Sequence, residues 1–216
     1  MIISHKYKFI FIKTRKTAGS SIETDLNKIL GPNDIATPVW PRPKVHTPKN
    51  FKRGFFQKNF REHMPASEIK EYIGGKIFDE YFKFCIEREP VDKCLSFYNM
   101  KKSRSEKFGY LFKRSNNGFR RNMSFEDCMY KKIIPNDVEK YTSSEGELLV
   151  DEILKYEELP YNIIDISQRL GFNFSLKSKE KVGNYEKDFV SESLREKIYG
   201  YFEDSLRFTN YSKYKN

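Results

Sequence analysis

Two short segments hold the residue types best suited to chemistry. The first is Lys13-Thr14-Arg15-Lys16-Thr17-Ala18-Gly19-Ser20-Ser21. It follows an apolar, strand-like run over residues 7–12, and it precedes Ile22, Leu26, Ile29 and Leu30, whose spacing marks one face of a helix. A tight strand-to-helix loop presents backbone amides and the positive end of the helix dipole, which suits phosphate or sulfate. Gly19 allows close approach, Thr17, Ser20 and Ser21 add hydroxyl donors, and Lys16 can reach back over a bound anion. The same segment also reads as a capped helix start with solvated lysines. It is not a Walker-type loop, because the lysine precedes the glycine and no glycine lies upstream. A P-loop NTPase or nucleotide kinase is therefore disfavoured.

The second segment is Glu87-Arg88-Glu89-Pro90-Val91-Asp92-Lys93-Cys94-Leu95-Ser96-Phe97-Tyr98. It follows a strand-like run from Tyr81 to Glu87, and Pro90 stands where the first turn of a helix tolerates proline. Arg88 offers a planar fork suited to phosphate, and Ser96, eight residues on, offers a hydroxyl. Arg88 taken alone reads equally as an ion-pair partner of Glu87 or Glu89.

The elements that must position these segments alternate. The strand-loop-helix unit occurs twice, the second time with Val91, Cys94, Leu95 and Tyr98 on the apolar helix face. Between the units, residues 32–62 contain five of the nine prolines and read as an irregular, mostly exposed connection. A short helix is expected from Ala66 to Ile73, ended by Gly74-Gly75. The basic stretch 101–122, with Glu106 as its only acid, reads as positively charged loops, or as a solvated flexible loop. Ser124 and Asp127 resemble a capping box that opens a helix to about Ile133. Val150 to Tyr156 is ambiguous by period, Leu159 to Leu170 reads as helix, and a last helix starts near Ser191. Alternating strands and helices imply an α/β fold with a largely parallel sheet. Ligands of such sheets bind at the carboxyl ends of the strands, which points to loops 13–21 and 87–90.

Composition narrows the classes. The 216 residues fit one domain spanning 1–216, and 16% aromatic content excludes disorder. No apolar run approaches the roughly 18–20 residues of a membrane span. The net charge of +10 implies an anionic partner. Nucleic acid is one such partner, yet the chain has no aromatic RNP pattern, zinc spacing or obvious recognition helix. Cys85, Cys94 and Cys128 are odd in number and lack C-x-x-C spacing, which suits buried thiols in a reducing compartment. His5, His46 and His63 are scattered, and no metal site is expected.

Together the two segments resemble the cofactor site of the sulfotransferase superfamily, which uses 3′-phosphoadenosine 5′-phosphosulfate (PAPS). Lys16-Thr17-Ala18-Gly19-Ser20-Ser21 is similar to the family's 5′-phosphosulfate loop, and Arg88-x-Pro90-x-x-Lys93-x-x-Ser96-x-Tyr98 to its 3′-phosphate motif. Tyr156-Glu157-Glu158-Leu159 and the ending Phe202 to Tyr211 resemble further family segments. Two departures stand out: Arg15 replaces a common proline, and Lys93 replaces the usual second arginine. The resemblance implies a P-loop-like, mostly parallel α/β sheet flanked by helices. It also implies sulfuryl transfer from PAPS to a hydroxyl without a metal. Lys16 would stabilise charge on the leaving phosphate, Arg15 to Ser21 would surround the 5′-phosphate, and Arg88 and Ser96 would bind the 3′-phosphate. Lys181 and Asn184, in a Lys-Val-Gly-Asn-Tyr segment, are similar to a late loop that closes over the nucleotide.

The acceptor hydroxyl needs a base. His63, between the two segments, resembles in placement the histidine base of carbohydrate sulfotransferases of the uronyl 2-O type. An ordinary imidazole, titrating near pH 6.5, suits that task at neutral pH. A hydrogen-bonded structural histidine is the competing reading; Glu62 is the reserve base and His46 a distant third. The expected acceptor is a glycan, uronate-bearing or already sulfated, and the expected location is cytoplasmic. The alternative is a basic nucleotide- or nucleic-acid-binding protein of P-loop-like fold without transfer activity.

Overall fold

The computed structural model describes residues 1–40, 45–54, 57–108, 119–120, 122–177 and 190–212. In chain order the elements are β1 (Ile2–Ser4), β2 (Phe9–Ile12), α1 (Gly19–Leu26), β3 (Ile35–Ala36), α2 (Ala66–Ile73), α3 (Gly75–Glu80), β4 (Phe82–Glu87), α4 (Pro90–Phe108), α5 (Phe125–Tyr130), β5 (Glu152–Lys155), α6 (Tyr161–Arg169), α7 (Glu192–Tyr201) and α8 (Glu203–Thr209). They divide into two compact units, Met1–Glu87 with Asp137–Lys181, and Arg88–Asn136 with Val182–Asn216.

The first unit is built on a sheet of order β3-β1-β2-β4-β5. β2, β4 and β5 are parallel, with Ile12 beside Cys85 and Ile86 beside Leu154. β1 runs antiparallel to both β2 and β3, so it alone opposes the common direction. The expected α/β architecture with a mostly parallel sheet flanked by helices is present. Every residue of β2 is buried. Phe9 and Phe11 share one face with Ile22 and Leu26 of α1 and Ile163 and Ile166 of α6. Ile10 and Ile12, alternating to the other face, are equally excluded from water. Both faces are covered, as a parallel sheet requires.

Three local readings change. The strand expected over residues 7–12 is β2 and starts at Phe9, because Tyr7 and Lys8 belong to the turn from β1, Lys8 with φ 53°. Asp34 fixes that turn, accepting from Ser4 Oγ at 2.8 Å and from the Lys6 amide at 3.0 Å. Gly74, at φ 85°, ends α2, but α3 begins at once at Gly75. The basic stretch expected as loop is helical through Phe108, where Lys, Arg and Glu favour helix and need no apolar face.

In the second unit, Pro90 opens α4 and the Glu89 carboxylate caps it, accepting from the amides of Val91 at 3.1 Å and Asp92 at 2.8 Å. Ser124 and Asp127 form the expected capping box on α5. Leu95, Cys94, Phe125, Cys128, Leu194 and Ile198 pack one core. All three cysteines are buried free thiols.

Phe84 of β4 is 1% exposed, and its ring lies 5.2 Å from that of Phe11 and 6.0 Å from that of Phe9. Phe84→Ala should cost about 3–5 kcal/mol. Removing the Ser124 cap by Ser124→Ala should cost about 1 kcal/mol. Urea midpoints of the two variants test that order.

Candidate functional site

The loop after β2 is held to the end of β4. The Thr14 hydroxyl donates to the Ile86 carbonyl, which can only accept. Thr14 Oγ1 must then accept from Thr17 Oγ1, 2.9 Å away. The Thr17 hydroxyl, fully buried, is thus engaged inside the loop. Arg15 is also engaged: its amide and its Nη1 each lie 2.7 Å from the Asp137 carboxylate, which is fully buried. Lys16 (φ 65°) and Ala18 (φ 59°) both adopt the left-handed conformation. Each costs on the order of 1–3 kcal/mol and persists only where the surroundings dictate it. Ala18 is the N-cap of α1, and its methyl group supplies no side-chain cap to that helix start.

Lys13, buried at the foot of the loop, is the hub of the site. Its Nζ lies 2.5 Å from Glu23 Oε2 and 3.3 Å from Ser20 Oγ, and it also pairs with Glu62 Oε1. A Cβ on Gly19 would come within 2.8 Å of Lys13 Cγ, so the glycine makes room for the lysine stem. This constraint stands beside the ligand approach expected at Gly19.

His63 sits against the same residue. Its Nδ1 is 2.9 Å from the Lys13 carbonyl oxygen. A carbonyl accepts, so Nδ1 carries the hydrogen and Nε2 is the acceptor nitrogen. Glu62 Oε1 lies 3.9 Å from Nε2. Burial, and next the Lys13 charge, lower the His63 pKa from 6.5 to about 4, against Glu62, the Lys13 carbonyl and Asp137. The ordinary value expected from sequence is therefore corrected, and desolvation of the imidazolium is the main reason. The reserve base, Glu62, is ion-paired with Lys13. His46 is fully buried and its Nε2 donates to the Thr37 carbonyl at 2.9 Å.

Lys16, Thr17, Ala18, Gly19, Ser20, Ser21 and His63 thus fall in the first unit. Arg88 and Ser96 belong to the second. Arg88 Nη2 lies 3.7 Å from Asp92 Oδ2, one turn on. Ser96 is half-buried on α4. Lys181 and Asn184 lie outside the described residues. A cavity of about 330 Å³ in the second unit, lined by Met129, Tyr130, Leu194 and Lys197 among others, contains none of the expected site residues. Among the described residues, no cluster of His, Cys, Asp and Glu could hold a metal, and no helix is long and apolar enough to cross a membrane.

The model of the Sulfotransferase family matches residues 1–133, more than half of the chain. The chain belongs to the sulfotransferase family. The match includes the loop, His63, Arg88 and Ser96, and it accords with the P-loop-like sheet. A protein of Archaeoglobus fulgidus, described as uncharacterized, is 30% identical over 112 residues, covering 50% of this chain and 82% of the relative. No solved structure matches. Lys13, Glu23 and Asp137 were not marked by their sequence context: Lys13 looks like one cation in a basic run, and Asp137 follows Pro135 and Asn136 without a motif.

The depressed His63 pKa sets a pH dependence. Between pH 6.5 and about 4 the unfolded imidazole binds a proton that the folded one refuses. The stability owed to neutral His63 is fully present above pH 6.5 and is lost as pH falls through about 4. Urea denaturation at pH 7 and pH 4.5 should show a larger loss in the native protein than in His63→Gln. Equal losses would refute the buried neutral imidazole.

Proposed function

We propose that the protein transfers a sulfuryl group from PAPS to a hydroxyl of a carbohydrate acceptor, with residues 1–216 serving as one sulfotransferase domain. The observation that carries this reading is His63 held through Nδ1 by the first carbonyl of the loop, 2.9 Å away, with Nε2 as its proton acceptor. That pairing joins a base to an anion loop within one unit. Membership of the sulfotransferase family supports the transfer chemistry.

PAPS supplies the sulfuryl group and a phosphate leaving group. Lys16, the backbone from Arg15 to Ala18 and the α1 start with Gly19, Ser20 and Ser21 suit its 5′-phosphosulfate, since a cation and an uncapped helix dipole both favour negative charge. Arg88 and Ser96 suit the 3′-phosphate, and Lys181 and Asn184 the closure over the nucleotide. Lys16 opposes charge developing on the leaving phosphate. His63 Nε2 takes the proton of the attacking hydroxyl. No metal is required by these roles. Lys101, Lys102 and Arg104 on α4, with the net charge of +10, favour a uronate-bearing or sulfated glycan. Three buried free thiols favour a reducing, cytoplasmic compartment.

Calorimetry without Mg²⁺ should find tight binding of adenosine 3′,5′-bisphosphate and much weaker binding of ATP, which lacks the 3′-phosphate. Arg88→Ala should weaken the bisphosphate by about 1.5–3 kcal/mol, whereas Lys16→Ala should lower turnover more than affinity. Equal affinity for ATP would reject the nucleotide assignment.

His63→Ala should slow transfer of labelled sulfate to uronate-bearing glycans by about 10²–10⁴-fold, with bisphosphate affinity nearly unchanged. Because the imidazole of the donor-free protein titrates at about 4, the acid limb of kcat/KM for PAPS should lie near that pH rather than near 6.5. A variant with a full rate at pH 7 would remove His63 from the mechanism.

A further inference from the structure

We infer that Lys13 is the positioning residue of His63: its carbonyl selects the imidazole tautomer, and its ammonium holds the Glu62 carboxylate in place beside the other ring nitrogen. The catalytic part of this inference rests on His63 being the base, as proposed above; the structural part does not. One residue makes both contacts. The Lys13 carbonyl is 2.9 Å from Nδ1, and the Lys13 ammonium pairs with Glu62 Oε1, the same oxygen that stands 3.9 Å from Nε2. Glu23 at 2.5 Å and Ser20 at 3.3 Å hold the ammonium from the α1 side.

The consequence concerns the proton. A carboxylate released from Lys13 could close the 3.9 Å gap and accept from a protonated Nε2. Imidazolium would then be stabilised, and Nε2 would be turned toward a neighbour instead of an acceptor hydroxyl. The charged groups acting on His63 are Lys13, Glu62 and Asp137, and Lys13 is the one that disfavours its protonation. Neutralising Lys13 removes that repulsion and the Lys13–Glu62 pairing, and both effects act in the same direction.

Nitrogen-15 and proton NMR of the His63 ring reads this without relying on activity. At pH 7 the wild-type ring should carry its hydrogen on Nδ1. In Lys13→Met the His63 titration should move up by on the order of one pH unit or more. Lys13→Arg, which keeps the charge, should stay near the wild type. Because Lys13→Met removes one cation from Glu62 and from Glu23, which keeps the Met1 ammonium, Lys13→Met/Glu23→Gln serves as the charge-matched variant. A wild-type hydrogen on Nε2, or an unmoved His63 titration in the folded double variant, overturns the inference. If the NMR titration moves and the acid limb of kcat/KM moves with it, both the inference and the base assignment are supported. If only the NMR titration moves, Lys13 still positions the ring, and it is the base assignment that fails.

Discussion

A lysine ammonium kept out of water at the foot of the loop between β2 and α1 is the constraint on which the first unit depends. Removing such a charge from water costs several kcal/mol, and the cost is offset only when good partners surround it. Here the partners come from separate segments: Glu23 and Ser20 from α1, and Glu62 from the long connection before α2. Each must sit correctly for the others to do so. Losing Glu23 or Glu62 leaves the buried ammonium with one carboxylate instead of two, so part of its desolvation is no longer offset. The requirement reaches to Gly19, where any Cβ would strike the Lys13 stem, and to His63, which follows Glu62 in the chain. Thus a stability requirement and the placement of an imidazole are one piece of geometry.

A second set of contacts holds the far side of the loop. Thr14 binds the end of β4, and Asp137 takes both the amide and the guanidinium of Arg15. Asp137 stands where the chain re-enters the first unit on its way to β5. Between these anchors Lys16 and Ala18 are held in left-handed conformations that neither side chain prefers. The strain is distributed over a loop whose two ends cannot move apart. A loop fixed before any anion arrives loses less conformational freedom on binding than one that must be ordered by it.

The legible parts of the molecule were those set by local rules. The β2–loop–α1 unit follows from a switch of apolar period, the start of α4 from Pro90, and α5 from a Ser–Asp capping pair. The illegible parts depend on distant partners. β1 has three residues and β3 two, too few for any period to show, and both exist because β2 supplies an edge to pair with, directly or through β1. Residues 101–108 continue α4 on helix propensity, with no apolar stripe to announce it. Lys13 and Lys16 look alike in the sequence. Only the tertiary placement of Glu23 and Glu62 makes one a buried hub and leaves the other in the turn. The pKa of His63 is equally non-local, since burial and a neighbouring ammonium lower it and neither is written in its surrounding residues.

That lowered value has a physical logic on the proposed reading. A base works best with a pKa near the working pH, and an imidazole at about 4 is reliably neutral but holds a proton weakly. The forces acting on it are unequal in origin. Desolvation is permanent, whereas the Coulomb balance among Lys13, Glu62 and Asp137 changes when another charge enters. A donor bearing several negative charges at the adjoining loop would favour imidazolium and partly offset Lys13. His63 would then become a stronger base when the donor is present than when it is absent. Burial is the larger cause of the weak basicity of the free imidazole, and only the smaller share due to Lys13 is, in this arrangement, left for an arriving anion to offset.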